Sequence, residues 1–123
     1  MDKLGFVADQ LESIGIPYEF GEWTQGVQYP YFTGEITEDE PTTEDGRETS
    51  TLILTGWHRG KRLELETAKK KIKNHFNPVY GFSGETDEGS IHVFFGGSFY
   101  VPSGESELQK IQIELKIIEW KVE

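Results

Sequence analysis

The stretch that decides the fold is Ile111-Gln112-Ile113-Glu114-Leu115-Lys116-Ile117-Ile118-Glu119-Trp120-Lys121-Val122. Ile111, Ile113, Leu115 and Ile117 fall on one side of an extended chain, with Gln112, Glu114 and Lys116 on the other, so a β-strand with one buried face is expected near 108–122. The parity then changes: Ile118, Trp120 and Val122 take the alternate positions. An extra residue inserted at Ile117-Ile118 would restore one continuous buried face, so a β-bulge is expected there; the other possibility is a strand covered on both sides.

Working outward, Ile91, Val93 and Phe95 alternate with His92 and Phe94 and predict a strand near 90–101. Tyr29 to Ile36 and Glu48 to Trp57 read as two further strands, with Pro30 suiting an edge or strand-start position because it lacks a backbone donor. Between them lies an acidic stretch, Glu38, Asp39, Glu40, Glu44, Asp45 and Glu48. It offers little apolar surface to offset the entropy of ordering, so a mobile hairpin connection is expected. Gly56 and Gly60 place Trp57-His58-Arg59 at a turn, residues 79–89 form a Gly-rich loop, and Tyr18-Glu19-Phe20 is a short aromatic stretch compatible with a strand.

Two segments have helical spacing. Leu4, Val7, Ala8, Leu11 and Ile14 share a face, with Asp2 able to cap the start and Gly15 and Pro17 able to stop it. Leu65, Ala68, Ile72 and Phe76 mark a second helix closed by Asn77-Pro78. The expected fold is therefore α+β: an antiparallel sheet of about four strands with two flanking helices, near 3–14 and 63–76, in the order α-β-β-α-β-β. A chain of 123 residues fits one domain, 1–123.

Composition limits function further. Residues 1–50 carry twelve acids against Lys3 and Arg47, whereas the ten acids and ten bases of residues 51–123 cancel, so the whole net charge of −10 lies in the first half. That field repels a phosphate backbone and argues against sequence-reading DNA binding. No run is long and apolar enough to span a membrane, and the start lacks the pattern of a signal peptide. With no cysteine in the chain, disulfides and thiolate metal sites are excluded. His58, His75 and His92 lack the spacing of a zinc site, and the acids after Ile36 lack the ligand pattern of an EF-hand. His75, in the last turn of the second helix, suits a partly charged imidazole facing the helix dipole. Gly81-Phe82-Ser83-Gly84 and Gly96-Gly97-Ser98 lack a P-loop ending and read as turns or bulges. No catalytic residue, cofactor or metal ligand is expected, and no enzyme.

Surface chemistry is more informative. Lys69, Lys70, Lys71 and Lys73 make the second helix basic, and with the acidic segment they supply complementary patches for head-to-tail association of copies. Tyr29, Tyr31 and Trp57, with Trp23 and Phe32, gather around the first hairpin, where they either fill the core or anchor an interface.

The stretch Tyr29-Pro30-Tyr31-Phe32-Thr33-Gly34-Glu35, the acidic spacer, and Thr51–Gly60 followed by Leu63–Phe76 resemble the tail terminator (tail completion) proteins of long-tailed phages and prophages of Gram-positive bacteria. The resemblance implies an α+β fold and a hexameric ring that caps the tail tube, ends its elongation and joins it to the head connector or stopper. It implies self-association, contact with the tube protein, and DNA passing through the lumen without specific binding. It places the protein at the head-proximal end of the virion tail, assembled in the host cytoplasm. A connector or stopper protein of the same virion, and a host cytosolic α+β domain binding a small ligand between sheet and helix, are the alternatives.

Overall fold

A computed structural model describes residues 1–26, 28–40 and 46–121, apart from the side chains of Asp39 and Glu40. The elements run α1 (Lys3–Ser13), β1 (Tyr18–Phe20), β2 (Tyr31–Glu40), β3 (Arg47–Arg59), α2 (Leu63–His75), β4 (Phe82–Thr86), β5 (Gly89–Tyr100) and β6 (Leu108–Lys121). They build one curled, mixed sheet of half-barrel form with two helices, in the strand order β1-β2-β3-β6-β5-β4.

The expected four-stranded antiparallel sheet and its α-β-β-α-β-β order are thus corrected. The sheet has six strands, and β1 pairs with β2 in parallel, Tyr18 opposite Phe32. β1 escapes a periodicity reading because three residues cannot show a period. β4 escapes it because Gly84 looks like loop punctuation. Its missing Cβ instead makes room for the Phe6 ring of α1, whose Cζ would lie 2.7 Å from an added carbon. Trp57, His58 and Arg59 are strand rather than turn, since β3 pairs with β6 as far as Arg59 opposite Leu108.

Both helices pack on one sheet face. α1 starts at Asp2, whose carboxylate accepts the Gly5 N–H at 2.9 Å, which satisfies one of the free N–H groups of a helix start. It buries Phe6, Val7 and Leu11, and α2 buries Leu65, Ala68 and Ile72. These meet Phe32, Leu52, Leu54, Ile91, Val93, Ile111, Ile113, Leu115 and Ile117 in a single core. His75 packs flat on Phe82 and lies 2.8 Å from Gln10 Oε1. Burial pulls its pKa below the ordinary histidine value, working against the partly charged imidazole that its place in the last turn of α2 suggested.

No bulge occurs at Ile117-Ile118. β6 stays in register with all thirteen residues of β3 through Trp120, and the buried parity runs straight on from Ile117 to Glu119, which is 2% exposed. Ile118 and Trp120 therefore sit on the outer face. The register shift lies instead in β5, between Phe95 and Gly97.

At this end of the core charge replaces hydrocarbon. Lys3 Nζ reaches Glu38, Glu119 and Glu48 at 3.0, 3.6 and 3.8 Å, and Lys121 Nζ lies 2.8 Å from Glu48. Burial pulls the Lys3 ammonium down, but the hydrogen bond to Glu38 and the charges of Glu38, Glu119 and Glu48 outweigh it and leave the pKa raised. Burial pushes the Glu119 carboxyl up, against Lys3 and Lys121. Hydrogen bonding with Lys121, and next with Glu38, holds Glu48 down at about 2.

A group whose folded pKa is depressed stabilises the fold above its unfolded value and loses that contribution as pH falls through the folded one. Glu48 should therefore contribute fully above pH 4.5 and progressively less toward about 2. In urea titrations the wild type should exceed Glu48→Gln in stability at neutral pH, with the difference shrinking across that window. A pH-independent difference would contradict the assignment.

Candidate functional site

On the sheet face away from the helices, β2, β3 and β6 present Tyr31, Thr33 and Glu35, then Ile53, Thr55 and Trp57, then Lys110 and Gln112, the positions opposite in parity to the core. Register lines up Tyr31, Trp57 and Lys110 in one row across the strands. The rings of Tyr31 and Trp57 lie 6.3 Å apart at 21°, and Lys110 Nζ stands 4.7 Å from the Trp57 centroid, a cation over a π face. Tyr29 extends the row, 5.8 Å from Tyr31 and edge-on to His58.

The turn after β1 closes the row from the side. Glu19 accepts from the Thr24 N–H at 2.9 Å and the Thr24 hydroxyl at 2.7 Å, and Trp23 Nε1 donates to the Gly26 carbonyl at 3.3 Å. These bonds hold the Trp23 ring 4.9 Å from Tyr31. The result is an open groove of about 510 Å³ with an aromatic wall, a floor of Thr33, Thr55 and Gln112, and the carboxylates of Glu22 and Glu35 at its side.

Of the residues singled out from sequence, Tyr29, Tyr31 and Trp57 come together here, outside the core; of their aromatic neighbours only Phe32 is in it. Glu38 lies elsewhere, at the Lys3 cluster. The backbone of Glu38 to Glu40 is strand, as is that of Arg47 and Glu48, which corrects the expected mobile connection at both of its ends; residues 41–45 lie outside the described residues. Glu44 and Asp45 lie outside the described residues, as do the side chains of Asp39 and Glu40. Lys69, Lys70 and Lys73 are on the far side of the sheet, where Lys69 pairs with Glu66 at 2.8 Å and Lys73 Nζ lies 5.7 Å from the Phe95 centroid. Lys110, Gln112 and Glu35 join the site through strand register, which spacing along the chain does not reveal, and Trp23 joins it through the turn after β1.

Two other places could hold chemistry. A cleft of about 320 Å³ between α2 and the segment before β2 is lined by Ile16, Pro17, Pro30 and Ala68, with Glu64 and Lys71 at its rim. Ser83 Oγ lies 2.6 Å from His92 Nδ1, on an exposed strand pair with no carboxylate on the other ring nitrogen among the described residues, so the pair lacks the third member that orients a catalytic histidine. Among the described residues no group of histidines and acids converges as a metal site, and no helix is long and apolar enough to cross a membrane. No family model matches the chain, and no curated protein is significantly similar to it.

Proposed function

We propose that this protein is a structural subunit of a long phage tail, working as a ring, hexameric as the sequence resemblance implies, that ends tube elongation and forms the joint to the head connector. It acts through surfaces and catalyses nothing. The observation that carries this reading is the placement of a cation-rich helix and an aromatic, acid-flanked groove on opposite faces of one sheet. Patches so placed cannot satisfy each other within a copy, and between copies they meet head to tail, the arrangement that closes into rings when the rotation permits. A connector or stopper protein of the same virion is the second reading. The small-ligand reading rests on the cleft beside α2, whose volume is at the bottom of the range of ligand pockets.

A phage lacking the gene tests the assignment. Its tubes should exceed the normal length and fail to join filled heads, seen directly by electron microscopy. Tails that stop at the usual length and carry heads would remove the terminator role. Tubes of normal length with unjoined heads would favour the connector.

A further inference from the structure

The groove and the basic helix carry unspent chemistry of matching kind. On α2, Lys70 projects opposite the stripe of Leu65, Ala68 and Ile72, flanked by Lys71 and Lys73. None of these three ammonium groups forms an ion pair among the described residues, whereas neighbouring Lys69 is held by Glu66. In the groove, Glu22 and Glu35 likewise have no ion pair among the described residues, while the Trp57 ring already carries one ammonium group, that of Lys110. Carboxylates beside π faces are a receptor for further ammonium groups, and such contacts strengthen where water is excluded.

The geometry points to the groove as the docking site for α2 of a second copy, with Lys70 entering between Glu22 and Glu35 against Trp23 and Tyr31, and Lys71 and Lys73 meeting the rim. The Glu38 end of the acidic segment is excluded as the receptor, because its carboxylate is bound by Lys3 of its own chain. The groove of about 510 Å³ exceeds what one lysine side chain needs. Trp23 is held in place by the Glu19–Thr24 bonds and Tyr31 by its strand before any partner arrives, which lowers the ordering cost of binding. Each copy gives a helix on one side and a groove on the other, so a pair always leaves one of each open and growth continues until it closes. The contact names the subunit interface of the ring proposed above and rests on that reading for its biological setting only.

The chain has no cysteine, so engineered thiols report cleanly. Thr33→Cys places a thiol on the groove floor, and Asn74→Cys places one a helical turn from Lys70 on the exposed side of α2, with all the charges kept. Mixed and oxidised at low salt, these two variants should form the mixed disulfide about tenfold faster than Thr33→Cys mixed with Asp87→Cys, an exposed control acid. The advantage should fall several-fold at about 0.5 M salt, where rim charges are screened. Reversing the groove (Glu22→Lys with Glu35→Lys) or the helix (Lys70→Glu with Lys71→Glu) should each abolish the advantage, and mixing the two reversed copies should restore it; melting curves show that each variant is folded. A rate equal to the control, or an advantage indifferent to salt and charge reversal, overturns the proposal. Cross-linking together with normal tails in the gene-deleted phage would keep the contact and remove the tail role; overlong tails without cross-linking would do the reverse.

Discussion

Gly56→Ala should destabilise the protein by about 3 kcal/mol, as expected for forcing an extra carbon into a packed core. Gly56 and Phe32 are directly opposed partners on β3 and β2, and the fully buried Phe32 ring lies over the glycine, so that its Cζ would be 2.7 Å and its Cδ2 2.8 Å from the new methyl group. The ring has no solvent into which it can swing. Urea denaturation should show the loss, and Phe32→Leu in the same chain should cost less than the sum of the two single changes, because the clash is shared. Gly26→Ala is the control: nothing among the described residues lies within 4 Å of its added carbon, and a change within about 0.5 kcal/mol is expected. A Gly56→Ala protein as stable as that control would refute the packing described.

Lys3→Met should cost about 3 kcal/mol near neutral pH, because it removes a cation beside a carboxylate that stays buried. Glu119 is 2% exposed and Lys3 Nζ lies 3.6 Å from it; among the described residues Lys121 is left as its remaining positive influence. The carboxyl's pKa, already raised by burial, should then rise further. A group raised on folding stabilises below its unfolded pKa and loses that contribution as pH rises through the folded one. The penalty of Lys3→Met should accordingly be small at about pH 4 and full at about pH 7, and Lys3→Met with Glu119→Gln should recover most of it. A penalty independent of pH would assign Lys3 a packing role instead.

These two sites show where sequence reasoning reaches its limit. Both helices and the four long strands leave a period of 3.6 or 2 along the chain, and Asp2, Gly15 and Pro17 mark the bounds of α1. The glycines of strands do not. Gly34, Gly56 and Gly84 each accept an aromatic ring, from Tyr18, Phe32 and Phe6, and only the register says which ring meets which glycine. Tyr18 fills its place at a cost: burial pushes its phenol up to about 12, and its hydroxyl finds no partner among the described residues. Glu119 misleads for a related reason. Its charge suggests the solvent face, whereas the apolar Ile118 and Trp120, whose positions made the parity change look like a bulge, lie on the outer parity of an unbroken strand. The aromatics of the groove were legible as a cluster because Tyr29, Tyr31 and Trp57 flank one hairpin. Its floor draws single residues from three strands, which no local pattern records.

The strand order also governs how the chain comes into being. β6 stands in the middle of the sheet, between β3 and β5, yet it is the last of the six strands to leave the ribosome. Until it arrives, the β2–β3 hairpin has a bare backbone edge along the whole of β3, and β4–β5 has no neighbour to join. Residues 49 to 73 positions apart must then meet along thirteen residues of β6, a non-local closure of the kind that folds slowly. The nascent protein therefore passes through a stage in which its longest hydrophobic strand seeks a partner, and neighbouring copies on the same message offer the same edge.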